Sequence, residues 1–193
     1  MIDKRLLGSW VRATWLGWLL GIPIIIVLAL CGEAVHIGGA QFLVGTGMGI
    51  GIGLIQARVI RKVLDKSGSW ILSCVVGLSV PFLVTDLSKL VGWHIGYSLL
   101  VLITIAGLII GIWQTLILRT RFRRAGLWLI ASAIGWTLAA GVSSMADTIP
   151  RQLAIRGILG ALAYLGFVAV GGLILGLITG ICLAMMKRRE LAA

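Results

Sequence analysis

The chain has 193 residues, of which 60% are hydrophobic and only 12% are charged. A soluble domain carries about 25% charged residues, so the composition excludes an ordinary soluble globular domain and predicts a multi-pass membrane protein. The formal net charge of +11 would suit a nucleic-acid binder, but the basic residues lie between apolar segments instead of on a soluble face, so we expect no nucleic-acid partner.

Six apolar segments follow one another along the chain. They cover roughly residues 10–31, 37–57, 70–92, 97–118, 127–146 and 157–186. Each is long enough to cross a bilayer core of about 30 Å, and the last is long enough to require a tilt. The segments are continuously apolar instead of alternating, which indicates helices and not a barrel. We therefore predict an all-α, six-helix integral membrane bundle in which residues 1–193 form a single transmembrane domain.

The basic residues predict the orientation of these helices. Fourteen of the 17 lie at the N-terminus, in two connecting loops and at the C-terminus: Lys4, Arg5 and Arg12; Arg58, Arg61, Lys62 and Lys66; Arg119, Arg121, Arg123 and Arg124; and Lys187, Arg188 and Arg189. Positively charged loops remain in the cytoplasm, so both termini are expected there, in a cell (plasma or inner) membrane. The same residues would contact anionic lipid headgroups of the bilayer.

An internal repeat divides the six segments into three units. Gly8-Ser9-Trp10, Gly68-Ser69-Trp70 and Gly126-Leu127-Trp128 each open a segment, and the motif Gly53-x-x-Gln56 recurs 58 positions later as Gly111-x-x-Gln114. Matches at a fixed offset indicate one structural unit used repeatedly. The units are helical hairpins at about 8–61, 68–119 and 126–188, and they predict approximate pseudo-threefold symmetry. The third unit departs from the pattern, because Thr179 stands where the others have Gln.

Glycines recur on one face of each helix of these hairpins. Small residues let two helix backbones approach closely in a membrane, so we predict packing roles for Gly17, Gly49, Gly53, Gly77, Gly107, Gly111, Gly135, Gly172 and Gly176. In the second segment, Gly47 and Gly51 lie nearly opposite Gly49 and Gly53, so this helix is expected to pack on both sides.

Three polar residues are predicted at one depth inside the membrane: Gln56, Gln114 and Thr179. A primary amide in this setting must find hydrogen-bond partners. One interpretation is that each makes an interhelical bond that clamps neighbouring helices. The alternative is that the amides line a polar cavity on the bundle axis. We favour the first, since polar residues in membrane helices commonly serve in packing.

Interface anchors are predicted from the aromatic and basic residues at the same end. Trp10, Trp70 and Trp128 would bury their rings and keep the indole N–H in interfacial water. Arg61 and Arg119 would extend to the lipid headgroups.

Catalytic and metal-binding patterns are sparse. Glu33-x-x-His36 could join His94, Asp86 or Asp147 in a metal site, but ordinary solvated loop residues are the more common reading. Asp86 and Lys89 are spaced to form a local ion pair. Cys31, Cys74 and Cys182 form no CxxC pair and predict neither a disulfide scaffold nor a zinc site. We find no metalloprotease, nucleophile-elbow or phosphate-loop motif, and we predict no enzyme activity, no metal and no cofactor.

The repeated Gly-x-x-Gln…Leu-Arg followed by Gly-x-Trp resembles a pattern in small, uncharacterised bacterial membrane proteins. The likeness covers about residues 8 to 136, weakens in the third unit and implies no activity. Mitochondrial carriers also use three two-helix units, but their Pro-x-acid-x-x-base signatures are missing from this sequence. Substrate-binding subunits of vitamin importers are similar in size, helix number and basicity, without a shared motif.

These observations lead to two hypotheses about function. The first is a non-enzymatic integral membrane protein, a structural, assembly or accessory subunit that packs in a larger membrane complex or homo-oligomer. The alternative is a small carrier, channel or substrate-capture subunit for a neutral solute. The first is favoured because packing glycines dominate and the middle of every segment is uncharged, whereas ion-coupled transporters usually keep charged residues there.

The topology is directly testable with reporter fusions. We expect fusions after Lys66, Arg124 and Ala193 to report a cytoplasmic location and fusions after Gly32, Trp93 and Ile149 to report the other side, because the basic loops are retained in the cytoplasm. A C-terminal reporter on the outer side would contradict the six-segment assignment.

Overall fold

A computed structural model describes residues 3–62, 64, 67–93, 98–152 and 157–186 of the chain. Several residues used in the sequence predictions lie outside this range: Lys66, His94, Lys187, Arg188, Arg189 and Ala193. The side chains of Asp147 and Arg151 are likewise outside the described part.

The described residues form an all-α structure of six helices. These are α1 (Lys4–Ala34), α2 (Phe42–Ile60), α3 (Ser67–Leu90), α4 (Leu99–Leu118), α5 (Leu127–Gln152) and α6 (Gly157–Met185). Each contains a stretch long and apolar enough to cross a membrane. This confirms the six predicted segments and supports a multi-pass membrane protein.

Three helix boundaries differ from the sequence prediction by five residues or more, and one of them is the start of α1 at Lys4 instead of residue 10. Helix α2 begins at Phe42 instead of residue 37, because the chain turns through His36 and Gly39, both of which have positive φ angles of 62° and 76°. Such a conformation is compatible with a turn and not with a right-handed helix. Helix α5 continues to Gln152, past the predicted end at residue 146.

Acidic side chains stabilise the start of two helices. Asp3 caps α1 by accepting hydrogen bonds from the backbone N–H groups of Arg5 and Leu6. Asp86, on α3, accepts a 2.8 Å bond from the N–H of Phe42 at the start of α2 and lies 3.8 Å from Lys89 Nζ. The predicted Asp86–Lys89 ion pair is thus confirmed. The carboxylate also places negative charge at a helix N-terminus, where the helix dipole favours it.

The six helices close into a ring. Each packs against its neighbours in sequence, and α6 returns to pack against α1. Among the described residues, helices that are not neighbours in this ring have no close backbone contacts. We call the end where α1, α3 and α5 begin the basic end, since Lys4, Arg61 and Arg119 lie there, and the other end the distal end.

Glycines lie in all six interfaces between neighbouring helices. The position of a Cβ on Gly17 would be 2.8 Å from Ile52 Cα, and on Gly49 it would be 2.6 Å from Val75 Cα. The nine glycines named from the sequence face their neighbours as follows: Gly17 faces α2; Gly49 and Gly53 face α3; Gly77 faces α4; Gly107 and Gly111 face α5; Gly135 faces α6; Gly172 and Gly176 face α1. A side chain at most of these positions would meet a neighbouring helix at less than ordinary contact distance.

Helix α2 has glycines on two opposite faces, and both faces are occupied. Gly45, Gly49 and Gly53 meet α3, whereas Gly47 and Gly51 meet α1. The sequence predicts this two-sided arrangement. It fixes α2 between two helices at distances that allow little room for substitution.

Replacing Gly49 with Ala should destabilise the protein by about 1–3 kcal/mol, because the added methyl group would press on the backbone of α3. The matched control is Gly166→Ala on α6, where nothing lies within 4 Å of the new Cβ. There the better helix propensity of Ala should leave stability unchanged or raise it by up to about 1 kcal/mol. Thermal unfolding in mild detergent measures both changes, and equal midpoints for the two variants would contradict the prediction.

Candidate functional site

Three indoles meet on the axis of the ring near its basic end. Trp10, Trp70 and Trp128 are at most 1% exposed, and their ring centroids are 5.6 to 5.7 Å apart. All three pairs are edge-to-face, an arrangement that aromatic rings prefer and that contributes about 0.5–1.5 kcal/mol per pair beyond burial. One helix of each hairpin contributes one ring, and together they fill the axis at this level.

Each indole N–H donates a hydrogen bond to the hairpin that precedes it around the ring. Trp70 Nε1 bonds Gln56 Oε1 at 3.0 Å and Trp128 Nε1 bonds Gln114 Oε1 at 2.9 Å. Trp10 Nε1 bonds Thr179 Oγ1 at 3.0 Å. The structure therefore brings together the three predicted intramembrane polar residues and the three predicted tryptophans.

The two amide groups also donate within their own hairpins. Gln56 Nε2 bonds Thr14 Oγ1 at 2.9 Å. Gln114 Nε2 lies 3.2 Å from Ser73 Oγ and 3.3 Å from Cys74 Sγ. Buried polar groups are costly unless they find such partners. These bonds run between neighbouring helices. Indole rings, and not an open space, lie in front of the two amides. The packing interpretation of Gln56 and Gln114 predicts this arrangement.

The prediction that these tryptophans keep their N–H groups in interfacial water is wrong. All three indoles are buried inside the bundle, because Gln56, Gln114 and Thr179 supply the acceptors that water would otherwise supply. The sequence contained a signal of this pairing, since Gln56 and Gln114 each precede a tryptophan by 14 positions. Arg61 and Arg119 are exposed directly after α2 and α4.

A second aromatic layer lies toward the distal end. Trp18 and Trp136 have ring centroids 5.8 Å apart with an interplanar angle of 33°. Trp18 is packed on α6, where a Cβ on Gly172 would come within 2.9 Å of Trp18 Cβ. Both side chains belong to the wall of the cavity that follows.

A cavity of about 340 Å³ occupies the distal half of the ring. Every helix contributes to its lining, for example Ile22, Met48, Leu78, Ile103, Ala140 and Val168 from α1 to α6 in order. Its volume falls in the range of about 300–1,000 Å³ that is typical of ligand pockets. No sequence pattern indicates this apolar cavity, because its existence depends on how far the helices stand apart.

The cavity lining is almost entirely hydrocarbon. No charged residue is among the described residues that form it, and its hydroxyl groups are those of Ser143 and Tyr164. Water is unstable in an apolar cavity, whereas small apolar molecules bind there. The chemistry of this site therefore suits a neutral, apolar ligand.

The predicted metal alternative receives no support. Within the described part of the chain, no group of three or more His, Cys, Asp or Glu residues could hold a metal ion. Glu33 and His36 are exposed near the distal end, and His94 and the side chain of Asp147 lie outside the described residues. Cys74 and Cys182 are buried and Cys31 is exposed, all as free thiols.

Comparison of the chain with protein families, curated proteins and solved structures finds no match in any of the three. Function is therefore inferred from the contacts, the burial and the cavity described above.

Replacing Trp128 with Phe should cost at least about 0.6 kcal/mol of stability, the mean measured for an interhelical hydrogen bond in a membrane, with a further loss from the space that the smaller ring leaves. The change keeps an aromatic ring and removes the N–H that satisfies Gln114. Trp93→Phe is the matched control, since Trp93 is 71% exposed. Thermal unfolding in detergent distinguishes the two, and equal losses for both variants would show that the buried bond contributes nothing.

Proposed function

We propose that this chain is a non-enzymatic, multi-pass membrane protein that captures a neutral, apolar molecule, acting as an accessory subunit in the membrane. The observation that carries the proposal is the apolar cavity of about 340 Å³ lined by all six helices. A protein that only fills space in a complex has no need of such a cavity, since close packing of its helices would be more stable.

The filled axis at the basic end favours capture over conduction. A channel needs a continuous path, but Trp10, Trp70 and Trp128 occupy the axis below the cavity. Their hydrogen bonds to Gln56, Gln114 and Thr179 hold the three indoles rigidly in place across the axis. The site is thus a pocket with a closed floor, which suits binding and release from one side.

We also propose that the bundle consists of three hairpin repeats with approximate pseudo-threefold symmetry. Two kinds of contact support this. Among the nine glycines named from the sequence, those on the first helix of each hairpin face their own partner helix, and those on the second helix face the next hairpin. The three tryptophan bonds follow the same rule around the ring. With the basic end in the cytoplasm, as the positive loops predict, the cavity would lie in the outer half of the membrane.

The proposal assigns the lipid bilayer as the immediate partner, with anionic headgroups near the basic end. Membership of a larger membrane complex, or association of several copies, fits an accessory subunit that passes its captured molecule to another protein. Mild-detergent purification, followed by mass measurement of the intact assembly, would identify such partners.

The binding proposal is tested with 1-dodecanol, a neutral single-chain molecule, added to protein in a surfactant with fluorinated tails. At ten times its Kd the probe should stabilise the protein by roughly 1.4 kcal/mol, following the linkage of binding to folding. Ile103→Trp, which fills the cavity from α4, should abolish this stabilisation. Ile105→Trp is the control, because Ile105 lies on the same helix but outside the lining.

The outcome discriminates between the two hypotheses. A stabilisation by dodecanol that both variants retain would place the binding outside the cavity and contradict the proposal. No stabilisation of the wild-type protein would return the packing-subunit hypothesis to first place. Val168→Phe on α6 serves as a second cavity-filling variant where Ile103→Trp shows no cooperative unfolding transition.

A further inference from the structure

We infer that the cavity receives one hydrocarbon chain of a membrane lipid, which enters sideways between α1 and α6. This inference rests on the proposed capture function and adds the class of ligand and its route. It is carried by three observations: the place where α1 and α6 separate, the exposed lining residues on both sides of that place, and the chemistry of the lining.

Helices α1 and α6 are tightly packed only in the half of the ring near the basic end. A Cβ on Gly180 would lie 2.9 Å from Leu7 Cδ1, and on Gly176 it would lie 3.2 Å from Val11 Cα. The contact at Gly172 and Trp18 is the next along the interface. Beyond it, toward the distal end, Leu165 lies on the same face of α6 as Gly172 and is 48% exposed.

The first turns of α6 confirm that the helix leaves the ring. None of the residues 157–170 of α6 is buried, whereas the same helix has buried residues at 171, 172, 175 and 176 further along. A helix that stayed against the ring would bury one face along its whole length. The gap therefore opens beyond Trp18 and faces the membrane interior.

The lining of the cavity continues into this gap. Ile26 on α1 is 55% exposed, and Tyr164 and Leu165 on α6 are 46% and 48% exposed, yet all three line the cavity. Val44 and Leu99, in the first turns of α2 and α4, line it and are about half exposed as well. The cavity is thus open toward the side and toward the distal end, the shape required when a chain lies inside and its headgroup remains at the membrane surface.

The chemistry of the site selects the hydrocarbon chain over other occupants. The described lining carries no charged group that would hold a polar headgroup inside. Acyl chains surround the apolar helices in a bilayer. An acyl chain that enters the gap therefore moves from one apolar environment to another. A water-soluble solute would instead have to leave water and cross the headgroup layer before reaching this side opening.

The test uses nanodiscs of phosphatidylcholine containing a phosphatidylcholine with a photoreactive diazirine in the middle of one chain. After illumination, mass spectrometry of the digested protein should find label on Leu78, Trp136 and Ala140. These lining residues are at most 3% exposed and lie out of reach of lipids on the outer surface. Leu165→Trp, at the rim, should reduce this internal label at least tenfold. Leu162→Trp, a neighbouring exposed residue outside the lining, should leave it unchanged.

Each result separates the inference from the function it rests on. Dodecanol binding together with missing internal label would overturn the lipid-chain inference and leave capture of a different neutral molecule in place. Internal label that persists in Leu165→Trp, with label on the half-exposed Val44 and Leu99, would overturn the sideways route in favour of the distal opening. Loss of dodecanol binding and of internal label together would contradict both proposals.

Discussion

The requirement that each polar group inside a membrane find a partner within the protein governs the centre of this bundle. An indole N–H has no water to bond at this depth, so burying three tryptophans on the axis costs less where three acceptors meet them. Gln56, Gln114 and Thr179 are those acceptors. The same bonds link each hairpin to the next, with Trp10 and Thr179 joining the last helix to the first. One constraint thereby fills the axis and closes the ring.

The glycines make this central contact possible, because the indoles reach one another only if the helices stand close. Between α2 and α3, Gly49 lies almost against the backbone of Val75, and comparable approaches occur in the other interfaces. Toward the distal end the side chains that face the axis change. In the layer with Trp18 and Trp136, α3 contributes Leu78 instead of a third indole, and Ala140 on α5 follows toward the distal end. Leu78 and Ala140 leave space that larger side chains would fill, and this space together with the separation of the helices forms the cavity.

The sequence patterns predicted the positions of the helices better than they predicted how the helices pack against one another. Long apolar runs located all six helices, since length and hydropathy are local properties. The start of α2 was misplaced, because positive φ angles at His36 and Gly39 end the first hairpin turn later than hydropathy indicates.

The helical period put Trp10, Ala13 and Gly17 on one face but could not say whether that face meets lipid or the axis. In a membrane both environments are apolar, so hydrophobicity does not separate inside from outside. The hydrogen bond between Gln56 and Trp70 could be predicted only by combining their repeated spacing with the knowledge that both side chains are buried. The cavity depends on helix separation, a property that no local pattern encodes.

The third hairpin departs from the repeat, and its departure has a structural consequence. Gln56 and Gln114 each have an amide that accepts from a tryptophan and donates back to the other helix of its own hairpin, through Thr14 or Ser73. Thr179 has only a hydroxyl, which donates to Leu175 O within α6, and among the described residues no bond links it to α5. Helix α6 is thus held by one side-chain bond at its level where α2 and α4 are held by two or more. Helix α6, which has less restraint at its basic end, has no buried residue from 157 to 170 at its distal end. The helix in which the sequence repeat is broken is thus the helix beside which we infer the side opening. Under that proposal, the departure of the third unit from the repeat gives the captured molecule its entrance.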